Sequence, residues 1–242
     1  MSVLRQLKDR HRQPEVMDQP GLDAGGHQQA LDALARINWI SASSLMLWPP
    51  IRRLCRERLQ AGDGRPVRVL DVASGGGDIA IRMWRRARRK GIALEVAGCD
   101  FSPFALEHAR KRAAARRADV SFFTRDVIAE PIPAGYDVVT CSLFLHHLDE
   151  ADAVSVLAKM RDAAGQMVLV NDLNRSKAGW LAAYFGSRAL TRSPVVHVDA
   201  LLSVEAAFTP AEALELARRA GMAEAEVRSR FPFRYLLSWR RT

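Results

Sequence analysis

The chain has 242 residues, 48% hydrophobic and 26% charged, with 3 cysteines and a formal net charge of +9 at pH 7, enough for one full-sized domain or a domain with a modest appendage. Cys55, Cys99 and Cys141 lie far apart and make neither a disulfide ladder nor a metal-ligand spacing; residues 1–20 carry no apolar signal core. No apolar run reaches the roughly 20 residues that span a bilayer, so a soluble, reduced, cytoplasmic protein is expected.

Residues 1–26 are polar and rich in Gly, Pro and Asp, and read as a loose arm. Leu31, Leu34, Ile37, Trp39 and Ile40 recur at helical spacing within 27–41. "PPIRRLCRERLQAG" (49–62) opens on proline and closes on glycine, as helices do. Strands are expected at 67–72, 94–99, 119–123, 136–142 and 166–172, with helices at 78–90, 103–117 and 151–163 between them. Asp149 and Glu150 read as caps of the last of these helices. Strands and helices alternating at this length imply crossover units and a mainly parallel sheet.

The segment 173–208 holds Trp180, Tyr184, Phe185 and Phe208, too apolar for a solvated loop, and is expected to form a lid. A helix at 209–222 follows, with Thr209 at its start and a glycine at its close, then "EAEVRSRF" and "FRYLLSWRR" as a terminal strand pair. The positive charge gathers in "RMWRRARRKG" (82–91) and "HARKRAAARRAD" (108–119). These are expected to be solvated outer helix faces without nucleic acid, since no aromatic platform interrupts them. An anionic membrane surface, or RNA, is the rival partner for such a face.

Chemistry concentrates in "VLDVASGGGDIAI" (69–81), where a buried strand runs through three glycines into a helix. Gly75, Gly77 and Ala80 satisfy the dinucleotide fingerprint, with Asp100 lying 23 residues beyond Gly77. The same geometry serves nucleosides without a pyrophosphate. Asp71, before the turn, would repel a phosphate and better suits a ligand with a positive end. Asp126 follows the third strand and "LFLHHL" the fourth.

This series of acids at consecutive strand ends resembles class I S-adenosylmethionine-dependent methyltransferases over about residues 65–172. The resemblance implies a Rossmann-like, seven-stranded, mainly parallel α/β sheet and S-adenosylmethionine as cofactor. Asp71, Ser74, Gly75 and Gly77 would surround the methionine portion, with Cys141 and Ser142 beneath the sulfonium. Asp100, beside Phe101, would take the ribose hydroxyls; Asp126 and Val127 would take the adenine. Ala73 stands where the family's first glycine is usual. The flanks "MDQPGLDAGGHQQALDALARIN" (17–38), "RSPVVHVDALLSVEAAFTPAEALELARRAG" (192–221) and "FPFRYLLSWRR" (231–241) resemble bacterial methyltransferases associated with type III polyketide synthases.

The domain plan implied is an N-terminal arm with helices (1–62), then the cofactor-binding domain (63–242) with its helical lid at about 173–208. The activity implied is methyl transfer to a phenolic oxygen of a polyketide-derived small molecule. C-methylation of a quinone precursor is the nearest alternative, and RNA methylation or RNA binding a remoter one. A phenol must lose its proton, and His147, then His146, then His197 in the lid are the candidate bases. Trp180, Tyr184, Phe185 and Phe208 would sandwich the acceptor. His27 and Asp23 in the arm are candidates to close over the cofactor. No metal is expected, and the oligomeric state is left open.

Overall fold

A computed structural model describes residues 7–15, 43–191 and 193–241. The helix expected over 27–41, with His27 and Asp23, lies outside the described residues. The described elements are α1 (Ser43–Gln60), β1 (Val67–Val72), α2 (Asp78–Arg89), β2 (Leu94–Asp100), α3 (Pro103–Ala115), β3 (Val120–Thr124), β4 (Tyr136–Ser142), a 3-10 turn (Leu145–His147), α4 (Glu150–Ala163), β5 (Ala164–Leu173), α5 (Lys177–Leu190), α6 (Pro194–Ala206), α7 (Pro210–Arg219), β6 (Glu226–Arg230) and β7 (Arg234–Arg240).

The apolar strands β1, β2, β4 and β5, each followed by a helix, are buried on both faces and pair in parallel. The sheet order is β3-β2-β1-β4-β5-β7-β6, with β7 antiparallel to both β5 and β6. This is the expected seven-stranded, mainly parallel sheet.

Because side chains alternate across a strand, the sheet divides two cores. Leu70, Val72, Cys99, Val139, Cys141, Val168, Val170, Tyr235 and Leu237 pack with α4, α7 and Phe208 on one face. Val67, Val69, Val96, Phe122, Val138, Leu169 and Leu236 pack with α1, α2 and α3 on the other.

One detail departs from the sequence reading. Among the described residues the first helix runs from Ser43 rather than from the prolines, and Pro49 and Pro50 lie inside it. The buried side chains of Met46, Leu47 and Trp48 extend its apolar face N-terminally. Burying each of these three side chains contributes about 1.5–3 kcal/mol, together comparable to the roughly 6 kcal/mol that two interior prolines cost. The segment expected to form a helical lid holds a helical hairpin: α5 and α6 pack on each other, and α6 also touches the 3-10 turn. Among the described residues no helix is long and apolar enough to cross a membrane.

Candidate active site

Strands β1 and β4 are neighbours, yet the chain leaves β1 toward β2 and leaves β4 toward β5. Reversal of strand order opens a crevice at the carboxyl ends, where such sheets take ligands. The glycine turn sits there. Gly75 has φ +50° and Gly77 φ +70°, and Ala73 also adopts a left-handed φ, +51°. A Cβ on Gly75 would meet nothing within 4 Å, so its requirement is conformational. A Cβ on Gly77 would lie 2.6 Å from Phe122 Cζ and 2.9 Å from Ala109 Cβ. The third glycine therefore lets α2 start directly against β3 and α3, which answers part of what the triplet is for.

Asp71 is buried in the β1–β4 row and accepts a 2.8 Å hydrogen bond from Thr140 Oγ1. Burial pushes its pKa up to about 7, against the lowering effect of the Thr140 hydroxyl, with Asp78 and Asp100 adding repulsion. A positive ligand end nearby would favour the ionised form. Asp100 accepts from the Gly75 N–H at 2.8 Å and the Ser102 N–H at 3.0 Å. Phe101 beside it is 69% exposed, a flat apolar face at the crevice rim. Asp126 turns one oxygen onto the N–H groups of Ile128 and Ala129. Val127 is buried, and its carbonyl accepts from Lys159 Nζ.

Three side chains near these strand ends have buried polar atoms with no hydrogen-bond partner: Ser74 Oγ after β1, Ser142 Oγ on β4, and Asn171 Oδ1 and Nδ2 on β5. Ser142 and Asn171 are directly paired across the strands. Unmade bonds cost about 1–3 kcal/mol each, so a set of them at one sheet edge fits a polar ligand, such as the ammonium and carboxylate of an amino-acid group. Cys141 differs from its expectation: its side chain packs into the opposite core from Ser142, and burial raises its pKa. Only its backbone faces the strand edge.

The histidine pair follows β4 in the 3-10 turn. His146 is buried; its Nδ1 lies 2.6 Å from Asp172 Oδ1, and its backbone N–H donates to Asp172 Oδ2 at 3.2 Å. Its Nε2 is 3.7 Å from Glu15 Oε1, and His147 Nε2 is 4.0 Å from the same oxygen. Burial alone would lower the pKa of His146, but Asp172 and then Glu15 outweigh it and raise the value to about 10. At neutral pH His146 is thus an imidazolium and cannot take a proton, which removes it as a base and leaves it a positioning charge. His147 is partly exposed, its side chain at 28%, and its ring lies 4.3 Å from that of His146.

His197 Nε2 donates to the Thr191 carbonyl at 2.8 Å, across the joint of the helical hairpin. Trp180 and Tyr184 stack with centroids 5.7 Å apart, Phe185 meets Tyr184 edge-on, and Phe185 is 66% exposed. Trp180 Nε1 donates to Glu205 at 2.9 Å. Phe208 does not join them: it is fully buried in the sheet core, with the Arg10 guanidinium 3.8 Å above its ring. A buried ring covered by the arm has no face for an acceptor.

Sequence reasoning passed over four residues that organise this region. Asp172 closes β5 as Asp100 closes β2, so the strand-end signal was present. Glu15, Arg10 and Arg175 carry no such signal. Arg10 donates to the carbonyls of Ala206, His146 and Leu148 at 2.6, 2.9 and 2.5 Å. Arg12 donates to the His147 carbonyl, and the His11 N–H to that of Glu205. Arg175, buried, joins the Leu7 and Ala207 carbonyls to Glu212, which also closes the capping box of α7 with Thr209.

The fold and this crevice define a methyltransferase domain of the class I, S-adenosylmethionine-dependent kind, and residues 69–165 match the methyltransferase domain family. The chain is 36% identical over 107 residues to the demethylmenaquinone methyltransferase of Deinococcus radiodurans, covering 43% of each. It is 35% identical over 126 residues to the ubiquinone biosynthesis O-methyltransferase of Alkalilimnicola ehrlichii, covering 51% of this chain and 48% of that one. The aligned stretch thus spans about half the length of these curated relatives. Among solved structures, magnesium protoporphyrin IX methyltransferase from Synechocystis with bound SAH shares the fold at a TM-score of 0.52 and 16% identity, over 99% of this chain and 93% of that one.

Proposed function

We propose that the chain transfers the methyl group of S-adenosylmethionine to a phenolic oxygen of a small hydroxylated aromatic acceptor of the quinone-precursor kind. The observation that carries this is the histidine pair, braced by Asp172, beside a strand edge lined with unmatched buried polar atoms. Ser74, Ser142 and Asn171 would meet the amino-acid end of the cofactor, with Asp71 and the glycine turn around it. Asp100 would hold the ribose hydroxyls, Phe101 and Val127 the faces of the adenine, and Asp126 its amino group. The cofactor supplies a methyl already activated on sulfur, so the chain's task is alignment and proton removal. A phenol with pKa near ~10 needs a base, and imidazole, near ~6.5, suits that step. His147 takes the role, since His146 is held protonated. Trp180, Tyr184 and Phe185 on the lid would press on the acceptor ring.

The relatives support a quinone-type acceptor, since the two are named for demethylmenaquinone and for ubiquinone biosynthesis. A polyketide-derived phenol, suggested by the flanks, has the same reacting group and is the narrower form of this reading. C-methylation of the same ring is favoured by the demethylmenaquinone relative and is the second reading. The arginine-rich faces of α2 and α3 suit peripheral contact with an anionic membrane that stores lipophilic acceptors. The protein would work in the cytoplasm.

The test is turnover with S-adenosylmethionine against a prenylated catechol, a hydroquinone and an alkylresorcinol, with products read by mass spectrometry. Methylated product is expected, and His147→Ala should slow it by roughly 10²–10⁴-fold. Binding of S-adenosylhomocysteine with no methyl passed to any of these rings, and methyl recovered on RNA instead, would discard the proposal.

A further inference from the structure

We propose that Glu15, His146 and His147 form a binding site for one divalent transition-metal ion of the zinc class. The three ligand atoms all lie within 4.8 Å of one another. Glu15 Oε1 stands 3.7 Å from His146 Nε2 and 4.0 Å from His147 Nε2. The shorter of these is longer than the roughly 2.7–3.2 Å of a direct hydrogen bond. Zinc bonds of about 2.0–2.2 Å in tetrahedral geometry place neighbouring ligands some ~3.4 Å apart. Side-chain adjustments of less than about 1 Å would therefore close the three ligands on a central ion.

The surroundings match what such a site needs behind its ligands. Asp172 Oδ1 sits 2.6 Å from His146 Nδ1, so the ring presents Nε2 to the gap, where an entering ion would displace the Nε2 proton to water; this is the carboxylate–histidine arrangement that orients metal-bound imidazoles. On the other side the Ser203 hydroxyl donates to Glu15 Oε1 and pins the carboxylate. Glu15 and Asp172 supply two negative charges against the dication, and both are buried, at 6% and under 1% exposure. Two histidines and one carboxylate from the protein form a set that leaves a fourth position for an outside oxygen.

The use of that fourth position rests on the methyl-transfer reading. An ion held by Glu15, His146 and His147 would supply Lewis acidity at that position and favour the phenolate of a phenol acceptor, whose proton passes to water. The phenolate oxygen pair then forms the bond to the methyl carbon, while the carbon–sulfur bond breaks and its pair remains on sulfur, leaving a neutral thioether. In the loaded chain His147 would hold the ion and the phenol proton would pass to water; in the metal-free chain the same imidazole is the base.

The experiment uses the full chain, stripped with a chelator and titrated with zinc against a competing dye, and separately with cobalt(II), whose visible absorption reports four-coordinate nitrogen and oxygen ligation. One equivalent should bind. Glu15→Gln and His147→Gln should each weaken binding by at least ~100-fold, and Asp172→Asn by roughly 10–100-fold. His11→Gln, an exposed imidazole on the same arm, should bind as the unaltered chain does. No stoichiometric uptake, or undiminished uptake by both Glu15→Gln and His147→Gln, overturns the site. Thermal melts check that the variants fold, and the cobalt spectrum of the unaltered chain needs no variant. S-adenosylhomocysteine titrated into the same samples separates the two readings: its binding without zinc uptake overturns the metal site and leaves the methyltransferase reading standing.

Discussion

The glycine turn yields a graded prediction. Placing alanine at Gly75 forces a left-handed alanine, costing about 1–2 kcal/mol, of which about 0.4–1 kcal/mol is offset by the stiffer unfolded chain. With nothing within 4 Å of the new methyl, Gly75→Ala should destabilise by only about 0.5–1 kcal/mol. Gly77→Ala carries the same backbone cost at φ +70° and adds a methyl 2.6 Å from Phe122 Cζ and 2.9 Å from Ala109 Cβ. Overpacking of that kind costs typically about 1–3 kcal/mol more, for a total of roughly 2–4 kcal/mol. Ala73→Gly, relieving φ +51°, should gain up to about 1 kcal/mol. Urea unfolding with unchanged slope reads all three. Trimming the ring with Phe122→Leu in the Gly77→Ala background should return about 1 kcal/mol or more of the loss, as coupled neighbours do. If Gly77→Ala unfolds within about 0.5 kcal/mol of Gly75→Ala, the packing role given to the third glycine is mistaken.

Other expectations concern charge. His146, raised from 6.5 to about 10 in the metal-free chain, contributes stability that is complete below pH 6.5 and is lost as pH rises through 10. Asp172→Asn should bring that titration, followed by imidazole NMR, back toward the ordinary value and cost about 3–5 kcal/mol at neutral pH; an unmoved titration would contradict the pairing. Asp71 binds its proton more tightly folded than unfolded, so stability should fall as pH rises from 3.8 to about 7. At about 1.4 kcal/mol per pH unit that is roughly 4 kcal/mol, and Asp71→Asn should abolish the slope. Asp100→Ala should weaken calorimetric binding of S-adenosylhomocysteine by roughly 10–100-fold, since hydrogen bonds to a charged group contribute about 1.5–3 kcal/mol; unchanged affinity would take the ribose role from Asp100.

The sheet was legible because each buried parallel strand writes its own apolar run, and because the acids Asp71, Asp100 and Asp126 fall at consecutive strand ends. Pairs within one motif, such as His146 and His147, could be nominated but not told apart. Their difference is set by Asp172 and Glu15, which lie 26 and 131 residues from His146. Periodicity reports which face a residue takes, not what arrives on that face from a distant segment. The same limit misplaced Phe208: its aromatic character was visible, whereas the covering by Arg10 depends on an arm with no apolar pattern. Cys141 was misassigned for a simpler reason, since alternation along β4 turns it away from Ser142.

The arm has a consequence for anyone trimming the chain. Its arginines are the donors for four carbonyls on two separate elements, those of His146, His147 and Leu148 on the turn and Ala206 at the end of α6. A version beginning at Gln13 would keep its sheet, its nucleoside crevice and Glu15, but those oxygens would have to turn to solvent. Turn and lid would then lose their common clasp together, so a shortened protein that still grips the nucleoside but handles the second substrate poorly would be reporting a missing fastener rather than a missing reagent.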